Sequence, residues 1–365
     1  VLGKQTGILT ARQIDDLIDR GVVVPSTPLE AAQRQPTTLD LRLGSEAIAT
    51  RAGLLAQHGT VRESLADLAG ERLDLTSGAV LRRGQIYLIR LQEDLALPTD
   101  LRARANPRSS TGRIDVFTRT LVDNHDRFDD IPAGYEGPLW LEVLPRSFDI
   151  KVQAGQRLNQ LRFLRGRPLL RDDELSARVA ADDLLGGGAP RAIDDASLLL
   201  GLSLRPERHG EPIAWRARSD APLLDLSRPG SHAPGDFFDP IYRNGSERLV
   251  LEPEAFYILA SDHRLRVPPD LAAEMLAYDV GMGELRTNYA GFFDPGFGWG
   301  ADSRLGARAV LEVRAHDVAF RVEHGQPLFR LQFSHTVEPC EHLYGGPGSA
   351  YQNQGLTLSR YFAAS

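Results

Sequence analysis

The sequence predicts a mainly β protein made of two tandem copies of one barrel domain, with a few short helices. Four observations carry this. Strand-length apolar runs bounded by Gly, Pro, Asp and Arg dominate the chain, among them "TLDLRLG", "QIYLIRL", "LWLEVL" and "FDIKVQ". Several alternate apolar and polar residues, as an antiparallel sheet with one buried face requires. An ordered series of matches also recurs at an offset of 170. "GQIYLIRLQEDLALPTDLRA" from Gly84 matches "EAFYILASDHRLRVPPDLAA" from Glu254, and "LEV" at 141–143 matches "LEV" at 311–313. "VQAGQRLNQLRF" at 152–163 matches "VEHGQPLFRLQF" at 322–333. Finally, 365 residues are too many for one typical core. The boundary is placed at 170, giving a first β domain over 1–170 and a diverged second one over 171–365.

The elements follow in order. Thr10 can cap a helix whose Ile14, Leu17 and Ile18 fall at helical spacing, and Gly21 can end it. The strand runs of the first copy come next. "RDDELSARVAADDLLGGGAPRAIDD" starts with a helical pattern, ends in glycines and reads as the connector opening the second copy. The C-terminal "LYGGPGSAYQNQGLTLSRYF" reads as a mobile lid with aromatic and amide contacts.

The formal charge of −7 argues against non-specific nucleic-acid binding, which needs a basic face. One cysteine, Cys340, excludes an internal disulfide framework and suits a reducing compartment. The N-terminal stretch lacks the apolar core of a signal peptide and no run is long enough to span a bilayer, so a cytoplasmic location is expected. No Cys-x-x-Cys or HExxH spacing supplies a zinc site, and no P-loop, dinucleotide fingerprint or GxSxG elbow occurs.

The first candidate site is "NPRSSTGR", Asn106 to Arg113. Arg108 and Arg113 can make bidentate contacts to phosphate, Ser109, Ser110 and Thr111 add donors, and Gly112 lets the backbone approach closely. The offset puts Tyr278, Asp279, Val280 and Gly283 opposite Arg108, Ser109, Ser110 and Arg113, so the second copy lacks the set. The second candidate is Glu142 in "GYEGPLWLEV", which alternation turns away from Leu141 and Val143. A strand covered on both sides would desolvate this carboxylate and suit it to general acid–base work. Glu312 shares the context, and the sequence does not choose between them.

These pieces resemble the deoxycytidine triphosphate (dCTP) deaminases of the dUTPase-like superfamily. "NPRSSTGR", "GYEGPLWLEV", "GQRLNQLRF", the front-end "TTLDLRLG" and the tail "YQNQGLTLSR" carry the resemblance. It implies distorted barrel or jelly-roll domains and hydrolysis of dCTP to dUTP and ammonia without a metal bound by the protein, supplying dUTP for thymidylate synthesis. It casts Glu142, Ser109 and Arg113 as catalytic residues. Arg108, Ser110, Thr111, Gly112, Trp140, Leu141, Tyr344 and Gln354 become substrate contacts. Mg²⁺ would arrive on the triphosphate, with no zinc, and dTTP is a candidate regulator. The family's sugar-binding Asp is Pro132 in the first copy, leaving Asp130 or, in the second copy, Asp294, and its tail lysine is replaced by Ala350. Family sites form between neighbouring barrels, so either both copies of one chain or first copies of different chains could build one, and a homo-oligomer is expected. The alternatives are a dUTP pyrophosphatase, a bifunctional enzyme, or a non-catalytic nucleotide sensor.

Overall fold

The computed structural model describes residues 5–277, 285–287, 291–300, 306–346, 349 and 351–364. Two sheets form the first barrel. One runs Gly7–Ile8, Asn159–Arg165, Leu101–Pro107, Asp130–Ile131, with Leu39–Leu41 also on Asn159–Arg165. The other runs Ala69–Asp74, Leu43–Thr50, Ile86–Ala96, Glu136–Pro145, Val116–Leu121. A ten-stranded sheet carries most of the second barrel, with Phe256–Leu265 paired to Ala307–Ala315 and Leu271–Ala277 paired to Pro327–His335.

The repeat holds at the level of strand register. Leu141 faces Ile89 and Leu311 faces Leu259; Phe163 faces Ala103 and Phe333 faces Ala273. A one-residue slip would turn each strand's apolar set outward, so a buried face fixes this register in both copies. Leu141 and Val143 enter one core, Leu311 and Val313 the other. Trp140 and Glu142 in the first strand, and Val310, Glu312 and Arg314 in the second, therefore share the opposite faces.

The helices follow their sequence signals. Ala11–Asp19 is capped by Thr10 with Gln13 completing the capping box, and Gly21 sits at φ +66° just beyond its end. Asp172–Ala181 opens the second half. Among the described residues no helix is long and apolar enough to cross a membrane.

The two halves share a core. Phe256, Ile258 and Val310 from the second barrel join the first barrel's apolar cluster. Strand Leu224–Asp225 pairs in parallel with the first barrel's Ile150–Val152. The tail returns to the same cluster, where Phe362 meets Phe237 and Phe238 at ring distances of 5.3 and 5.5 Å.

Candidate active site

One cavity lies where the barrels meet. The first barrel contributes Asp40, Arg108, Ser109, Ser110, Arg113 and Gln160; the second contributes Asp294, Val310 and Glu312; the tail contributes Tyr344, Tyr351, Gln354 and Arg360.

The octet forms a strand end and one helical turn. Strand Leu101–Pro107 ends at proline, Arg108 is extended, and Ser109–Gly112 turns. The Arg108 amide donates to Leu158 O at 3.0 Å and its Nη1 to Arg157 O at 3.3 Å. Arg108 Nε lies 3.2 Å from Asp40 Oδ1, yet neither Asp40 oxygen has a hydrogen-bond partner among the described residues. Burial raises the Asp40 carboxyl above its ordinary range, against the pull of Arg108, Arg157 and Arg360.

Arg113 is buried and reaches the tail. Its Nη2 donates to Gln354 Oε1 at 2.8 Å, its Nη1 to Thr357 O at 2.9 Å, and its guanidinium lies 3.9 Å over the Tyr351 ring. Burial lowers its pKa; Tyr351, Glu312 and Tyr344 oppose this. Gln354 in turn donates to Arg308 O at 2.9 Å, and Ser359 Oγ donates to Ser110 O at 2.8 Å. The tail is thus stitched to both barrels beside the cavity. Burial pushes the Tyr344 hydroxyl up to about 12, so it stays protonated and accepts from the Tyr351 amide at 3.2 Å.

The glutamate in this cavity is Glu312, 2% exposed, beside the aspartates Asp40 and Asp294. A Cβ built on Gly112 would overlap its oxygens, so the turn and the carboxylate are in direct contact, and glycine is what permits it. Glu142, expected as the catalytic carboxylate, lies outside this cavity. It is 4% exposed, and a Cβ on Gly53 would sit 2.8 Å from its Oε2, which has no hydrogen-bond partner among the described residues. Burial raises its pKa and Arg119 partly offsets this.

Trp140 and Leu141 also stand away from the cavity. Trp140 packs in a small cluster with Ile48, Leu88 and Leu121, and Leu141 is in the first core. Their places beside the site are taken by Val310 and, behind it in the second core, Leu311. Thr111 is fully buried and does not line the cavity, because the turn points its side chain inward. Ser109, Ser110, Arg108, Arg113, Tyr344 and Gln354 all line it.

Of the two aspartates considered for the sugar, Asp294 lines the cavity, accepting from Thr37 Oγ1 and lying 3.4 Å from Arg162 Nη2. Asp130 sits on another edge, 3.6 Å from His125 Nε2. Tyr278, Asp279, Val280, Gly283 and Ala350 lie outside the described residues. The sequence reading missed Asp40, Gln160 and Arg360. Asp40 carried a signal, since it stands between Leu39 and Leu41 as Glu142 stands between Leu141 and Val143.

The fold is dUTPase-like, and the cavity's guanidiniums and hydroxyls suit a phosphorylated ligand. The family model for the 2'-deoxycytidine 5'-triphosphate deaminase (DCD) N-terminal domain matches residues 5–167, and that for the C-terminal domain matches residues 171–362. The structure is similar to the crystal structure of 2'-deoxycytidine 5'-triphosphate deaminase from Agrobacterium tumefaciens, with 42% identity and a TM-score of 0.87, over 91% of this chain and 99% of that one. Among curated proteins, the chain is 30% identical to a dUMP-forming dCTP deaminase of Persephonella marina over 164 residues, 43% of this chain and 82% of that protein. It is 29% identical to a dCTP deaminase of Acidianus ambivalens over 163 residues, 43% of this chain and 84% of that protein. The chain belongs to the 2'-deoxycytidine 5'-triphosphate deaminase family.

Proposed function

We propose that this protein hydrolyses the exocyclic amine of dCTP, releasing ammonia and dUTP, with Glu312 as the proton shuttle. The observation that carries the reading is the Glu312 carboxylate seated against the Ser109–Gly112 turn in the cavity that also holds Arg108 and Arg113.

In this reading the triphosphate enters with its Mg²⁺ bound through its own oxygens and is held by Arg108 and the serine hydroxyls. Asp294, already fixed by Thr37 and Arg162, receives the sugar hydroxyl. Cytosine C4 then faces Glu312. The carboxylate takes a proton from water as its oxygen bonds to C4, and passes that proton to N3. The new hydroxyl gives up its proton to the departing amine through the same carboxylate, C–N breaks, and the carbonyl forms. Ser109 and Arg113 orient the water and balance developing charge.

Glu312→Gln is expected to lower ammonia release by about 10²–10⁴-fold while leaving dCTP affinity within a few-fold. Glu142→Gln is expected to remain active. Full activity in Glu312→Gln, read by ammonia assay beside a binding isotherm, would overturn the assignment.

A second reading, in which dUTP is carried on to dUMP and pyrophosphate, is favoured by one observation. Asp40, buried beside Arg108 with both oxygens lacking hydrogen-bond partners among the described residues, is a carboxylate at the phosphate end that deamination does not require. Separating the products of dCTP turnover decides: dUMP with pyrophosphate supports it, and accumulating dUTP refutes it.

A further inference from the structure

The glutamate faces of the two barrels are covered in different ways. In the second barrel, the face of strand Ala307–Ala315 that carries Glu312 lies on the first barrel. Val310 is in the first barrel's apolar cluster, Glu312 meets Gly112, and Arg314 pairs with Asp115 just past the octet. In the first barrel, the matching face of strand Glu136–Pro145 is covered by the chain's own residues 51–68. Ala56 and, from helix Val61–Leu65, Val61 and Leu65 pack on Ile48, Leu88, Leu121 and Trp140, and Gly53 lies against Glu142.

The two copies route the corresponding excursion differently. Residues 51–68 leave strand Leu43–Thr50 and return as Ala69–Asp74; residues 218–237 leave Ala214–Ala217 and return as Phe238–Ile241. The second excursion reaches across to the first barrel, through strand Leu224–Asp225 and Phe237. The first folds back over its own sheet.

We infer that each chain builds one complete site from its own two barrels and tail, and that residues 51–68 are a cap that keeps the first barrel's glutamate face from receiving another chain's barrel. This rests on the deaminase reading above. The covered surface is apolar around one buried carboxylate, Glu142, and the docked surface of the second barrel likewise sets apolar Val310 beside the buried Glu312, with Arg314 paired to Asp115 at its end. With the cap lifted, its occupant would be a second copy of this chain.

Two measurements test this. Arg113→Ala and Glu312→Gln damage opposite halves of the site. Co-expressed and purified together, they are expected to show only the residual activity of each variant alone. Recovery tenfold above that background would mean that sites are shared between chains, and would overturn the inference. Failure of the deaminase reading looks different, since the unaltered protein would then release no ammonia from dCTP.

The cap is lifted in the full chain by Val61→Glu with Leu65→Glu, or removed by joining Thr50 to Ala69 with a short Gly-Ser linker. Sedimentation velocity is expected to show self-association growing with protein concentration, with kcat/KM for dCTP within about twofold of the parent. A folded, active variant whose sedimentation stays that of the parent would overturn the capping role. So would loss of dCTP turnover in a variant that keeps the parent circular-dichroism spectrum.

Discussion

Glu142 and Glu312 are one residue type at one register position, and their surroundings set them apart. Glu312 meets a glycine turn and a guanidinium across a cavity; Glu142 meets Gly53 and an apolar cluster. Burial raises the Glu142 carboxyl above the ordinary 4.5. The folded state therefore holds its proton to higher pH than the unfolded chain, and stability from this group falls as pH rises from the ordinary value through the raised one. Glu142→Gln removes that penalty. The variant is expected to melt above the parent at pH 8, with the gap closing toward pH 4, while keeping deaminase activity. Thermal denaturation across that range checks the first part, and an unchanged gap at every pH would contradict it.

At the scale of elements, the turn Ser109–Gly112 holds the site together, with its glycine against Glu312 and its Ser110 carbonyl under the tail's Ser359. Gly112→Ala is expected to push the carboxylate aside. An added methyl in a packed site costs about 1–3 kcal/mol, and on the proposed role of Glu312 its displacement should lower kcat by about tenfold or more. KM should change less, since Arg108 is untouched. Steady-state kinetics separate the two, and parent-like kcat would show that Glu312 does not depend on this contact.

At the scale of the molecule, the halves are locked by shared apolar residues and by a buried ion pair between Asp115 and Arg314. Breaking such a pair leaves one charge buried and unmatched. Arg314→Met is expected to cost about 3–5 kcal/mol, seen as a lower melting temperature. Asp115→Asn with Arg314→Met should recover much of it, because removing both charges removes the desolvation penalty. A double variant as unstable as the single would argue against the pair as the cause.

The sequence by itself determined the repeat, the strand-length runs within it, and the octet and tail as segments that line one cavity. Each is encoded locally, in alternation, in glycine and arginine spacing, or in a match between two stretches of one chain. Which glutamate the octet would meet was not legible, because Glu142 and Glu312 sit in the same "LEV" and differ only in what packs over them. Trp140 and Leu141 lie outside the cavity with Glu142 for the same reason. Asp294 and Arg360 reach the cavity from far along the chain. Only the tertiary structure decided these, since the docking of one barrel's sheet on the other, and the folding of residues 51–68 over the first, are settled by long-range apolar packing that no local pattern records.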